Sequence, residues 1–162
     1  MPMRLEGSCK CGVVRFSIDS HTPYPYQLCY CSICRKAGTG GFAINLMGVA
    51  STLDVTGRDQ IRVFQAMIEQ DAARFKGPCQ RNFCRLCGTM LWVYDDQWPD
   101  LVHPFASSID TALPVPPQRV HLMLGSKAPW VQADIRPGDL SFDGYPTQSI
   151  EDWHRTRGLW ID

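Results

Sequence analysis

A mainly β fold pinned by metal is predicted by three features of this 162-residue sequence. Short apolar runs of strand type recur along it, separated by Gly- and Pro-containing connections. Its eight cysteines fall largely into C-x-C and C-x-x-C clusters. No internal repeat, low-complexity tract or linker divides it, so residues 1–162 are expected to form one domain.

Taken in order, Leu5 to Ser8 leads into the first C-x-C. Val13 to Ile18 alternates, with Val14, Phe16 and Ile18 on one face, which is the signature of a half-buried strand. Ser20 to Pro25, with two prolines, is a connection, and Tyr26 to Cys29 is extended. Ser32 is placed to cap a helical turn over Ile33 to Ala37, which Gly38, Gly40 and Gly41 end. Phe42 to Leu46 and Leu53 to Thr56 read as strands.

The segment Asp59 to Lys76 fits two patterns. Ile61, Phe64, Ile68 and Ala72 would line a helix, whereas Ile61, Val63 and Gln65 would line a strand with a turn near Glu69 to Asp71. Periodicity alone does not choose between them. Met90 to Tyr94 and Leu101 to Phe105 are strand-type runs on either side of a turn at Trp98-Pro99-Asp100. Leu113 to Pro117 is a stiff connection. Val120 to Leu124 reads as a strand with His121 and Met123 on its second face. The tail is loop-rich until a short helix over Ile150 to Arg157. Trp92, Trp98 and Trp130 are expected to fill the core.

The cysteines carry the chemistry. A C-x-C on an extended segment sends both sulfurs to one face, and the turn within a C-x-x-C aims its two sulfurs inward. Cys9 and Cys11 with Cys84 and Cys87 thus supply four ligands, enough for one closed tetrahedral zinc site. Cys29, Cys31 and Cys34 supply three more and leave a position open, the arrangement of catalytic zinc. Two zinc ions per chain are expected. Cys79, just before the C-x-x-C, is the one candidate for a fourth ligand at the second site, which would make that site structural. Disulfides are the alternative use of an even cysteine count, but the close clustering is a metal habit.

Other classes are excluded on composition. Lys+Arg and Asp+Glu are 16 each, so the chain has no basic excess to hold nucleic acid. No run of about 18 apolar residues marks a membrane span, and the first residues lack the apolar core of a signal peptide. A reducing cytoplasm is the compartment expected for so many free thiols. Arg35 and Lys36, next to the second site, either hold a substrate carboxylate or stand as solvated surface charges, the commoner case, and His103 and His121 read as half-buried, hydrogen-bonded histidines.

Three motifs in order, Gly7-Ser8-Cys9-Lys10-Cys11-Gly12, Cys29-Tyr30-Cys31-Ser32-Ile33-Cys34-Arg35-Lys36 and Arg81-Asn82-Phe83-Cys84-Arg85-Leu86-Cys87-Gly88-Thr89, resemble the glutathione-dependent formaldehyde-activating enzyme family, related to centromere protein V. Ser108-Ile109-Asp110 and the segment from Pro117 to Trp130 resemble its later pattern, so the likeness spans roughly residues 5 to 131. The resemblance implies a β-tent fold of twisted antiparallel sheets, with Asp59 to Lys76 as a hairpin. It implies a structural zinc on Cys9, Cys11, Cys84 and Cys87 and a functional one on Cys29, Cys31 and Cys34. It also implies a carbon–sulfur lyase that joins a glutathione thiol to formaldehyde or a similar small carbonyl. Cys79 is not a usual ligand in that family. The competing expectation is a non-catalytic module with two structural zinc sites, because a fold does not by itself settle function.

Overall fold

The computed structural model describes residues 1–162. The chain begins with β1 (Met3–Ser8) and β2 (Arg15–Ser20), an antiparallel pair in which Leu5 faces Ile18 and Gly7 faces Phe16. The predicted alternation holds: Val14, Phe16 and Ile18 are all buried. Then come β3 (Gln27–Cys29), the one-turn helix α1 (Cys34–Ala37), β4 (Ala43–Ile44), β5 (Gly48–Val49) and β6 (Asp54–Thr56). Ser32 does not cap α1. The sulfur of Cys31 takes that place, accepting from the Cys34 amide at 3.3 Å, and Gly38 ends the turn as expected.

The ambiguous middle segment is strand, not helix: β7 (Ile61–Phe64), β8 (Met67–Gln70) and β9 (Ala73–Lys76). β8 and β9 form a hairpin whose two-residue turn, Asp71-Ala72, has φ of 51° and 63°. Two successive positive φ angles are what a tight hairpin needs to match strand twist. β10 (Gln80–Cys84), β11 (Met90–Tyr94), β12 (Leu101–Pro104), β13 (Val120–Leu122), β14 (Leu140–Ser141) and α2 (Ile150–Arg155) complete the chain. Ser149 caps α2, its hydroxyl accepting from the Asp152 amide at 3.0 Å.

Fourteen strands and two short helices make the fold mainly β. One sheet runs β1-β2-β6, a second β5-β12-β11-β10-β7, and a third β14-β13-β3-β4. The first two are antiparallel throughout, while in the third β13 runs parallel to both β3 and β14. The main core lies between the first two sheets, where Phe16 meets Trp92 edge-on with ring centroids 5.2 Å apart. Val93 points to the opposite side of β11 and packs with Cys34, Ala43 and Phe105. Strand β11 is therefore covered on both faces, and this is why its sequence is a continuous apolar run. β13 is covered on both faces, Val120 packing with Tyr26 and Trp153 and His121 meeting Tyr30 and Asp139 on the other side, so Val120, His121 and Leu122 are all buried instead of alternating. Met123, in the left-handed region, ends it two residues early.

Of the three tryptophans expected inside, only Trp92 is in the core. Trp98 and Trp130 are 55% and 72% exposed, because both sit in connections outside the sheets. The deeper tryptophan is Trp153 of α2, stacked on Tyr26 with ring centroids 3.8 Å apart. No helix is long and apolar enough to cross a membrane.

Candidate metal centre

All eight cysteines are free thiols, and seven gather into two groups. Cys9 and Cys11 come from the turn after β1, Cys84 from the end of β10, and Cys87 from the turn that follows it. Each motif closes on a glycine with positive φ, Gly12 at 76° and Gly88 at 74°. Their amides donate back to the Cys9 and Cys84 carbonyls at 2.9 and 2.8 Å, folding each pair into a tight knuckle. A side chain would strain that conformation.

The four sulfurs all lie within 4.8 Å of one another, with Cys9–Cys11 at 3.5 Å and Cys11–Cys84 at 3.8 Å. Four sulfurs placed ~2.3 Å from a tetrahedral zinc stand about 3.8 Å apart. The donor set fits that ion. A disulfide, by contrast, would bring two sulfurs to ~2.05 Å. Hydrogen bonds from Thr89 draw the Cys87 thiol down to about 5, and the Val14 amide donates to the Cys9 sulfur at 3.3 Å. Cys11 is pushed up to about 12: the Val13 amide favours its ionisation, but Cys9 and the other sulfurs oppose it more strongly.

The second group, Cys29, Cys31 and Cys34, also has its sulfurs within 4.8 Å. Cys29 ends β3, and Cys31 and Cys34 frame the start of α1. Cys31 ionises most readily, held down to about 2 by hydrogen bonds from Cys29 and Cys34 and by the Cys34 amide. Cys29 is then raised far above the usual thiol range, chiefly by its bond to Cys31. A cluster that yields one proton easily and resists the next suits a cation, which would stabilise all three thiolates together.

These three thiols line a cavity of ≈ 250 Å³, together with Cys79, Arg81 and Tyr145. Its wall is mostly apolar, with Ala66 and Ile68 from the β7–β9 arm and Leu122 from β13. The first four-sulfur group does not open into it. Cys79 lies outside the group of three sulfurs; its thiol donates to Asp95 Oδ2 at 3.3 Å. Burial, with the hydrogen bond to Asp95, keeps that thiol protonated. Lys36 is exposed and lines a neighbouring groove that shares Ile33, Ala66 and Arg81 with the cavity, and Arg35 is partly exposed.

Behind the thiols lies a buried polar chain. His121, fully buried, meets the Tyr30 hydroxyl through Nδ1 at 3.0 Å and Asp139 Oδ2 through Nε2 at 3.4 Å. Burial pushes Asp139 up, but the Arg136 and Arg119 amides, the Arg119 guanidinium and His121 together hold it well below the carboxylate range. An ionised Asp139 accepts only, so the His121 proton sits on Nε2 and Tyr30 donates to Nδ1. Tyr30 is flanked by Cys29 and Cys31, and the chain thus holds the thiol strand from its far side. His121 is hydrogen-bonded, as expected, though buried more deeply than a half-exposed strand would allow. His103, on β12, is partly exposed and bonds Leu46 O through Nδ1 at 3.1 Å.

Sequence reading did not single out Arg81, Asp95, Tyr30 or Tyr145. Arg81 stands two residues after Cys79, the spacing that puts both on one face of a strand. That signal was present once β10 was known to start near Cys79. Tyr145 had none, because it arrives from a loop far along the chain.

A family model described as "Glutathione-dependent formaldehyde-activating enzyme" matches residues 4–125. A curated protein of Halomonas elongata, named "Putative glutathione-dependent formaldehyde-activating enzyme", is 54% identical over 158 residues, covering 97% of this chain and 98% of that one. A crystal structure of a Rhodobacter sphaeroides protein aligns with a TM-score of 0.50 at 19% identity, over 86% of this chain and 99% of that one. At that identity the likeness speaks for the fold alone.

Proposed function

Because the chain belongs to the glutathione-dependent formaldehyde-activating enzyme family, we propose that it is a zinc-dependent carbon–sulfur lyase. In this reading it makes and breaks the bond between a glutathione thiol and formaldehyde or a similar small carbonyl. Cys9, Cys11, Cys84 and Cys87 hold a structural zinc, and Cys29, Cys31 and Cys34 a functional one. Residues 1–162 then form a single β-tent domain, working in a reducing cytoplasm where thiols stay free.

One observation carries this reading. The four-sulfur group is complete in itself, whereas the three-sulfur group lines a cavity with room for a further ligand. Zinc there would lower the pKa of an incoming thiol and polarise a carbonyl. The chain's own residues supply the rest. Ala66, Ile68 and Leu122 keep bulk water from the reacting sulfur. As the thiolate sulfur bonds to the carbonyl carbon, the carbon–oxygen π pair moves to oxygen, which takes a proton. Tyr145, at the rim of the cavity, is the donor: partial desolvation there and the nearby thiols push its phenol up, so it arrives protonated. The reverse reaction returns that proton to Tyr145 as the carbon–sulfur bond breaks.

The test is the sulfur count at the second metal, measured by X-ray absorption on zinc- and cobalt-loaded wild-type protein. It should rise from three to four when glutathione is added, with binding that strengthens as pH climbs towards ~8.5. Cys79 in the same cavity favours a second reading, a non-catalytic module with two structural sites. A count of four before glutathione, unchanged after it, would select that reading.

A further inference from the structure

Arg81 is an unusual residue for its position. It lies on β10, in the layer between the five-stranded sheet and α1, and only 7% of it is exposed. A buried charge is costly unless an opposite charge or a full set of hydrogen bonds attends it. Arg81 makes no ion pair with a carboxylate, although Arg4, Arg74, Arg119, Arg136 and Arg155 all do. Its Nε is buried with no acceptor. Its Nη2 points at the Cys34 sulfur, 3.9 Å away, and its guanidinium also faces Cys79. The anion that Arg81 lacks among the carboxylates is supplied by sulfur.

We infer that Arg81 is the counter-ion of the three-thiol site, and that its charge is what allows a substrate to enter that site as a thiolate. The inference rests on the functional reading above and deepens it. Three thiolates around a divalent cation leave one net negative charge, and a fourth thiolate makes two. In an apolar cavity the second negative charge is opposed strongly. The fixed guanidinium offsets it, and it does so before the substrate arrives. The site is therefore selective for an anionic sulfur over a neutral ligand of similar size. The four-thiol site has no buried arginine and is exposed at Cys11 and Cys87, where water performs that service.

The experiment compares wild type, Arg81→Met and Arg81→Lys in the full chain, loaded with cobalt(II) and read by its sulfur charge-transfer absorption. Arg81→Met should lose about 10–100-fold in cobalt affinity at the three-thiol site, with the four-thiol site unchanged. It should also bind glutathione at least about tenfold more weakly, while imidazole, a neutral ligand, binds within about twofold of wild type. Arg81→Lys, which restores the charge, should recover part of both losses. If Arg81→Met does not fold, Arg81→Gln carries the same expectations. Unchanged cobalt affinity in the uncharged variant, equal losses for glutathione and imidazole, or a lysine variant no better than methionine would each overturn the inference. Failure of wild type to bind glutathione would instead count against the functional reading, and the cobalt affinities would still decide the role of Arg81.

Discussion

The sulfurs of Cys11 and Cys84 are 3.8 Å apart, although 73 positions separate them in the chain. That proximity ties the turn after β1 to the end of β10, and the buried Cys9 and Cys84 are themselves part of the main core. Replacing Cys84 with serine should therefore unfold the chain. Structural zinc supplies about 10–16 kcal/mol in small zinc domains, comparable with the whole ~5–15 kcal/mol stability of a typical protein. Circular dichroism should show loss of the cooperative melt, and a strong chelator should do the same to wild type. A Cys84→Ser protein that melts like wild type and keeps its zinc would contradict the assignment.

Cys34→Ser should behave differently. The three-thiol group borders a cavity and a small cluster outside the main core. The variant should stay folded and lose one zinc of two by elemental analysis of the purified protein. Wild type holding one zinc or fewer would overturn the assignment of two zinc ions per chain.

Tyr145 is 79% exposed, so its replacement by phenylalanine should leave stability within about 0.5 kcal/mol of wild type. If its phenol protonates the carbonyl oxygen, kcat should fall by about 10²-fold or more, with zinc content and glutathione binding unchanged. Loss of glutathione binding without loss of kcat would make it a binding residue instead.

His121, His103 and His154 are each pushed below the ordinary histidine range, in every case chiefly by burial. Around His121, Asp139 and Asp134 work against that push and Arg119 works with it. A histidine with a depressed folded pKa binds its proton more readily when unfolded. Its contribution to stability is complete above ~6.5 and is lost as pH falls below that value. Urea midpoints should drop between pH 7.5 and pH 5, before the carboxylates titrate. His121→Gln should cost about 1–3 kcal/mol at pH 7.5 by removing the ring nitrogen that accepts from the buried Tyr30 hydroxyl, and should flatten the acid slope. A slope as steep as in wild type would place the acid sensitivity elsewhere.

Much of this was written locally. The alternation of Val14, Phe16 and Ile18 predicted a buried strand face because side chains in a strand must alternate. The C-x-C and C-x-x-C spacings predicted paired sulfurs because each pair is positioned by its own turn. Neither needs information from elsewhere in the chain. The segment Asp59 to Lys76 was different, for Ile61, Phe64, Ile68 and Ala72 fitted a helical period while Ile61, Val63 and Gln65 fitted a strand. Its state was decided by the pairing of β7 with β10 and of β8 with β9. His121 is fully buried because Tyr30 and Asp139, from distant parts of the chain, meet its ring, and Trp130 is exposed in a loop outside the sheets. Arg81 beside Cys34, and Tyr145 over the same cavity, unite residues distant in sequence. Spacing along a chain determines geometry within a turn or a strand. Which turn meets which strand depends on how the sheets pack, and that is settled only by the apolar surface they bury together.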